Sequence, residues 1–163
     1  METTDNAMDF NDYLSYDPET GDLFWKPDAN KSHRWNARWA GKSAGCRKKK
    51  HVVIQIYGKF YQAHRVIWHM RTGAWPEGEI DHKDRDGFNN RWDNLRVATP
   101  AQNLVNRDFK RGAMRGVTLS KGKYYQAQIG YRGKNIFLGT YKTAEEAHAA
   151  YLQKAKELYG EFA

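Results

Sequence analysis

Four polar residues in the middle of the chain have the types and spacing of a hydrolytic metal site: Asp81, His82, Asn94 and Asn103. Adjacent side chains on a short strand point to opposite sides, so Asp81 can hold a cation while His82 acts on a water molecule. A neutral histidine accepts a proton at physiological pH, and phosphodiester hydrolysis needs a deprotonated water and a nearby positive charge. The set therefore predicts a one-metal nuclease site.

The sequence around these residues predicts a strand, a loop, a second strand and a helix. Asp81 and His82 lie on the first strand, and the turn-rich run 84–90 leads to a return strand over 92–97 that contains Asn94. Thr99 and Gln102 are placed to form a capping box at the start of the helix, with Pro100 at its first position. Asn103 follows in the first turn. The helix is thus expected to pack across the strand that holds His82.

This pattern resembles the HNH endonucleases, in particular the phage-borne homing type. The resemblance implies that His82 is the general base, that Asp81 and Asn103 bind one divalent metal ion, and that Asn94 braces the loop. It also implies a 5′ phosphate and a 3′ hydroxyl as products, and an approach to DNA from the minor groove. Many members have histidine at the position of Asn103. An amide oxygen is a hard ligand, which favours Mg²⁺ or Mn²⁺. The alternative interpretation is an ordinary turn-flanking Asp-His pair.

The charge balance favours a polyanionic partner. The chain has 27 Lys and Arg against 19 Asp and Glu, a formal charge of +8 and a pI near 9.5. Basic residues cluster in a predicted loop before a strand and again after the predicted catalytic helix, while Arg65 is expected near the metal site. Such runs are often only solvated surface, but beside a phosphodiesterase site phosphate contact is the better interpretation. The expected phosphate-contacting residues are Arg47, Lys48, Lys49, Lys50, Arg65, Arg107, Lys110 and Arg111.

The single cysteine, Cys46, excludes an internal disulfide and a cysteine-rich zinc site. The amino terminus is polar and acidic, and no apolar run approaches the roughly 20 residues that cross a bilayer. We therefore expect a cytoplasmic protein without a membrane segment, which means the host cytoplasm if the gene belongs to a phage.

The pattern predicts an α+β fold in three segments. Residues 1–75 are expected to form a β-rich platform. Its predicted elements are a strand that follows a Pro- and Gly-marked turn within 16–25, a hairpin of 52–57 with 60–63, and a helix over 65–72 that ends at Gly73. Residues 76–110 hold the ββα-metal motif, and residues 111–163 form a third segment. Most tryptophans of the platform are expected to pack in the core rather than to stack on bases. His64 is expected to be structural rather than a ligand.

The third segment resembles the AP2 DNA-binding domain, which is a three-stranded antiparallel sheet backed by one helix. The residues themselves agree with this architecture, because Thr143 and Glu146 form a capping box and Gly160 suits the helix end. An apolar stripe at helical spacing is expected to face the sheet. On the middle strand alternate residues should face the helix, and the others should face outward. The stripe comprises Ala147, Tyr151, Ala155 and Leu158, the inward residues are Tyr125, Ala127 and Ile129, and the outward residues are Tyr124, Gln126 and Gln128.

The AP2 resemblance implies that the exposed face of the sheet contacts the DNA major groove. The chain departs from the family in three ways. Positions where plant members have base-contacting arginines hold Thr118, Ser120, Gly130 and Asn135. Phe137 replaces a usual tryptophan, and Gln128 replaces a common glutamate. Glutamine and asparagine can pair with adenine edges, so sequence reading remains possible. The expected contact residues are Ser120, Gln126, Gln128 and Asn135. A phosphate clamp without sequence preference is the alternative.

The whole pattern predicts a monomeric homing endonuclease that nicks or cleaves double-stranded DNA with Mg²⁺ or Mn²⁺. One active site in a monomer makes nicking the simpler expectation. Two alternatives stay open: a non-catalytic DNA-binding regulator on the same scaffold, which would bind without cutting, and a nuclease without site preference, which would cut at random positions.

Overall fold

The computed structural model describes residues 8–107 and 114–163, which form two compact units. The first unit reaches Val97, and the second begins at Ala98. Both mix helices with small antiparallel sheets, so the predicted α+β class is confirmed. Within the described ranges, no helix is both long and apolar enough to cross a membrane.

The first unit is built from three small sheets and two helices. A two-stranded sheet pairs β1 (Leu14–Tyr16) with β2 (Leu23–Trp25), and a three-stranded sheet has the order β3-β4-β5. The third sheet pairs β6 with β7. The remaining elements are α1 (His33–Trp39), β3 (Cys46–Lys48), β4 (His51–Ile56), β5 (Lys59–Gln62), α2 (Ala63–Thr72), β6 (Glu79–His82) and β7 (Leu95–Ala98), with 3₁₀ turns at Phe10–Asp12 and Trp92–Asn94.

A single hydrophobic core holds this unit together. It contains the fully buried Phe10, Leu14 and Ile54, and it also takes in Ile80 of β6 and Leu95 of β7. Residues on both sides of the boundary predicted at 75 therefore contribute to one core, and the three-segment division stays a prediction. This shared core fixes the strand pair that carries Asp81 and His82 on the platform.

Several local expectations are met and others need correction. The helix predicted to end at Gly73 does so, with Gly73 in the left-handed region at φ 76°. The strand predicted after the turn within 16–25 is β2, which pairs across that turn with β1. Asn94 lies at the end of a 3₁₀ turn rather than on the return strand, because its amide bonds the preceding loop. Arg47 and Lys48 belong to β3 and not to a loop, since they pair with β4; only 49–50 form the turn.

The second unit consists of α3 (Pro100–Asn106), a three-stranded antiparallel sheet in the order β10-β9-β8, and the long helix α4 (Ala144–Tyr159). The strands are β8 (Val117–Ser120), β9 (Tyr124–Tyr131) and β10 (Lys134–Tyr141). Both predicted capping boxes are present, one at Thr99 and one at Thr143. The predicted stripe of α4 is buried or half-buried, and Tyr151 and Ala155 pack against Ile129 of β9.

Gly116, which precedes β8, sits where a side chain has no room. Its φ is 72°, and an added Cβ would lie 2.1 Å from the Tyr151 ring and 2.6 Å from the Gln128 carbonyl oxygen. Gly122 has a similar φ of 64°, but nothing lies within 4 Å of an added Cβ. The two glycines therefore share a backbone requirement and differ in packing.

We expect Gly116→Ala to lower the free energy of unfolding by about 1–3 kcal/mol more than Gly122→Ala. The control variant isolates the cost of a left-handed alanine, about 1–2 kcal/mol, and the excess reports the clash with α4. Urea denaturation followed by far-UV circular dichroism measures both. Equal destabilisation by the two substitutions would show that α4 does not pack closely on Gly116.

Candidate functional site

Strand β6 directs Asp81 and His82 to different surroundings, as the sequence predicts. The Asp81 carboxylate accepts two hydrogen bonds at Oδ2 from Arg96, from Nη2 at 2.8 Å and from Nε at 2.9 Å. Both side chains are buried. The pairing of β6 with β7, the strand that carries Arg96, brings the two side chains together. Sequence reasoning missed this ion pair. A buried carboxylate held by two such hydrogen bonds keeps its orientation.

His82 is buried and lies against the loop that follows β6. Its Nε2 is 3.0 Å from Oδ1 of Asn90, which is also buried. An amide oxygen only accepts hydrogen bonds, so in the neutral form of the ring this contact places the proton on Nε2 and the lone pair on Nδ1. The arrangement therefore provides an oriented proton acceptor.

Asn94 ties the two ends of the loop together. Its Nδ2 donates to Oδ1 of Asp84 at 2.9 Å and to the Asn89 carbonyl oxygen at 2.7 Å, and its Oδ1 accepts from the Asp84 backbone N–H at 3.0 Å. Burial alone would raise the pKa of Asp84, but hydrogen bonds from Asn89, Asp86 and Asn94 hold that pKa below its ordinary value. These are contacts that a loop brace makes; a part in catalysis stays a prediction.

The same loop packs closely on the hairpin formed by β3 and β4. An added Cβ on Gly87 would lie 1.9 Å from the Lys50 carbonyl oxygen and 2.8 Å from Nδ1 of His51. The Arg47 guanidinium lies over the Phe88 ring, 4.8 Å from its centroid. The exposed basic residues of this hairpin are therefore next to the loop that holds His82.

Two further histidines surround His82. The His64 ring centroid lies 5.1 Å from those of His51 and His82, and the His51 and His82 centroids are 6.1 Å apart. One ring nitrogen from each residue falls within 4.8 Å of the other two. Burial, followed by the proximity of His82 and His51, lowers the pKa of His64 to about 3. Burial and the proximity of His82 also lower the pKa of His51.

The other predicted site residues of the first unit lie in well-defined places. Lys48 ends β3, and 49–50 form the exposed turn to β4. Arg65 donates from Nη1 to the Gly78 carbonyl oxygen at 3.0 Å and lies 6.0 Å from the Trp75 ring centroid. Its guanidinium therefore has partners within the protein, and contact with phosphate stays a prediction.

The tryptophans of the platform divide into two groups. Trp68 and Trp75 pack against the core, as expected. Trp25, Trp35 and Trp39 line a pocket of about 620 Å³, although Trp25 also packs on the core. The predicted core packing is therefore found for some of the platform tryptophans, while others line the pocket.

In the second unit, Asn103 lies in the first turn of α3, as predicted. Arg107 is the C-cap of this helix, whereas Lys110 and Arg111 lie outside the described residues. Arg115 donates hydrogen bonds to the carbonyl oxygens of Leu104, Val105 and Arg107. This guanidinium therefore caps the end of α3, which gives the basic segment a structural role that its charge pattern did not predict.

The strand register of the second unit brings the predicted base-contacting residues onto one face. Gln126 pairs with Thr118, Ser120 with Tyr124, Gln128 with Phe137, and Asn135 with Gly130. Ala127 and Ile129 are buried, while Tyr124 and Gln128 are exposed, so β9 alternates as expected. The Phe137 ring is 62% exposed on the same face. The outer face therefore presents amides, hydroxyls and the exposed aromatic rings of Tyr124 and Phe137.

The lowered pKa of His64 predicts acid sensitivity. The unfolded state binds a proton at an ordinary pKa near 6.5, whereas the folded state resists protonation down to about pH 3. Stability should therefore be fully present above pH 6.5 and fall as the pH decreases, by up to about 1.4 kcal/mol per pH unit from this group.

Urea denaturation at pH 7.5, 6.5 and 5.5 measures that slope. His64→Gln should reduce it, whereas His33→Gln, at an exposed position, should not. An unchanged slope in His64→Gln would contradict the burial of a neutral ring.

The comparisons with known proteins agree with this geometry. Residues 61–105 match the family model described as HNH endonuclease. An uncharacterized HNH endonuclease of Acanthamoeba polyphaga mimivirus is 36% identical over 118 residues, which cover 71% of this chain and 62% of that protein. Protein 3.8 of Escherichia phage T7 is 30% identical over 115 residues, which cover 66% of this chain and 94% of that protein. No solved structure matches the chain. By these matches, residues 61–105 belong to an HNH endonuclease domain.

Proposed function

We propose that this protein is a metal-dependent endonuclease of the phage homing type, which nicks double-stranded DNA at a recognised site. The observation that carries the proposal is the pair formed by Asp81 and His82 on β6. The loop that Asn94 braces follows this pair, and both lie within the segment that matches the HNH family. A single site in a monomer favours nicking over cleavage of both strands. The proposed reaction is the hydrolysis of a phosphodiester bond.

In this proposal His82 is the general base. Asn90 fixes the ring and holds the proton on Nε2, so Nδ1 can accept a proton from the attacking water. The network of Asp84, Asn89 and Asn94 keeps the loop in place, so the ring needs little reorganisation during the reaction. General-base catalysis of this kind contributes about 10²–10⁴-fold to a rate.

The donor set proposed for the metal ion fits Mg²⁺ or Mn²⁺. Asp81 offers a carboxylate oxygen and Asn103 an amide oxygen, both hard ligands. When bound, the ion would offset negative charge on the phosphate and on the leaving oxygen. Arg96 orients the Asp81 carboxylate through its Oδ2, and its guanidinium would compete with a cation for that oxygen.

Two surfaces would hold the DNA. The exposed side chains of 47–50 supply positive charge next to the loop that follows His82, and they would bind phosphates. The outer face of the second unit, with Gln126, Gln128 and Asn135, has the hydrogen-bonding groups that read base edges in the major groove. This unit would act as an AP2-like reader of the target sequence.

The first test is cleavage of supercoiled plasmid and phage DNA with Mg²⁺, Mn²⁺ or EDTA. We expect His82→Ala to lower the rate of nicking at least about 10²-fold, because it removes the group that the proposal assigns as general base. His33→Ala, an exposed histidine elsewhere in the chain, is the control and should cut normally.

DNA binding measured by gel shift should survive in His82→Ala, since the basic hairpin is intact. Full activity in this variant would overturn the proposal. Sequencing of the cut ends would separate a homing enzyme, with discrete sites, from a nuclease that cuts at random.

A second test concerns the basic hairpin. The double variant Lys49→Ala/Lys50→Ala should weaken binding and lower the slope of log K against log salt by about 1–2, because each lost phosphate contact removes about 0.9. Lys154→Ala/Lys156→Ala removes the same charge from α4 and should leave the slope nearly unchanged. Equal slopes in the two double variants would place the phosphate contacts elsewhere.

A further inference from the structure

We propose that His51, His64 and His82 form a second metal site, which binds Zn²⁺ or a similar nitrogen-preferring cation and thereby inactivates the general base. The inference rests on the proposed function for its effect on cleavage, but not for the binding itself. It assigns a regulatory use to the cluster, separate from the oxygen-donor site of Asp81 and Asn103.

The geometry of the cluster is close to that of a three-histidine site. One nitrogen from each ring lies within 4.8 Å of the other two, whereas tetrahedral Zn²⁺ with Zn–N bonds near 2.05 Å needs nitrogens about 3.4 Å apart. Rotation of the rings by roughly an ångström at the nitrogen atoms would close that gap. The ion would keep a fourth position for water or an anion.

The state of the rings favours a cation. Nδ1 of His51 and Nδ1 of His64 are buried without a hydrogen-bond partner among the described residues. A buried polar atom without a partner is destabilising, and a cation bound through these nitrogens would supply the missing partner. Both rings are kept neutral at physiological pH by burial and by their neighbours, and neutral imidazole is the form that binds metal.

The two proposed metal sites have different ligand atoms and therefore favour different ions. Imidazole nitrogen suits Zn²⁺, Co²⁺, Ni²⁺ and Cu²⁺, while Mg²⁺ prefers oxygen and binds three imidazoles poorly. An ion in the cluster would occupy the lone pair with which His82 accepts a proton. Zn²⁺ would therefore stop cleavage even when Mg²⁺ is in large excess.

Binding is measured first, without reference to activity. We expect the full-length protein to bind one Zn²⁺ in competition with a chromophoric chelator, and to bind Co²⁺ with the visible absorption bands of a low-symmetry nitrogen site. His51→Gln should weaken Zn²⁺ binding by at least about 10²-fold, because it removes one of three ligands. His69→Gln is the matched control, since His69 also has a buried Nδ1 without a partner in the described residues but lies outside the cluster.

Cleavage is then measured in Mg²⁺ with and without Zn²⁺, each variant relative to its own rate without Zn²⁺. Zn²⁺ should stop the wild type and His69→Gln but leave most of the rate of His51→Gln, and a zinc-selective chelator should restore the wild type. Equal Zn²⁺ affinity in wild type and His51→Gln, or cleavage supported by Zn²⁺ alone, would overturn the inference. If the wild type never cuts DNA, the proposed function fails, and the binding data still decide whether the cluster is a metal site.

Discussion

The close contact between the loop after β6 and the β3–β4 hairpin is the constraint on which the first unit depends. Gly87 approaches the Lys50 carbonyl oxygen so closely that no side chain fits between them. This contact places His51 beside His82 and places the basic turn beside the same loop. The loop also contacts the β1–β2 hairpin, where the Tyr16 hydroxyl donates to the Asn90 carbonyl oxygen at 2.8 Å. The loop is therefore held between two hairpins of the platform, and the platform serves to position the site.

The first unit buries an unusual amount of polarity for its size. Asp81, His82, Asn90 and Arg96 are all buried, and His64 is only 4% exposed. Burial of an ion pair costs desolvation that the attraction between its charges does not always recover. Burial of imidazole Nδ1 atoms that have no hydrogen-bond partner in the described residues adds to that cost. The single apolar core that joins β6 and β7 to the platform offsets these terms. Placement of polar groups in a dry, fixed site is what catalysis by a preorganised base requires.

The sequence was informative where structure follows from local chemistry. The capping boxes at Thr99 and Thr143 and the left-handed Gly73 could be predicted because each depends on residues three or four positions apart. The alternation of β9 was also predicted from a local pattern, because side chains two positions apart on a strand share a face. The contact of Arg96 with Asp81, and of His51 with His82, joins residues 15 and 31 positions apart. Such contacts depend on the packing of hairpins, which no local pattern records.

The two units present their polar groups in opposite ways, and the difference matches the two tasks of the proposed function. In the first unit, Asn94 and Asn90 are buried and each bonds a defined partner, so the amides are fixed. In the second, Gln128 and Asn135 lie exposed on a sheet with an uncovered Phe137 ring beside them. Bond cleavage needs groups that do not move, whereas base reading needs groups that reach into a groove and adapt to it. On the proposed function, changes on the sheet face would therefore alter where the protein acts, while the buried network would determine whether it cuts.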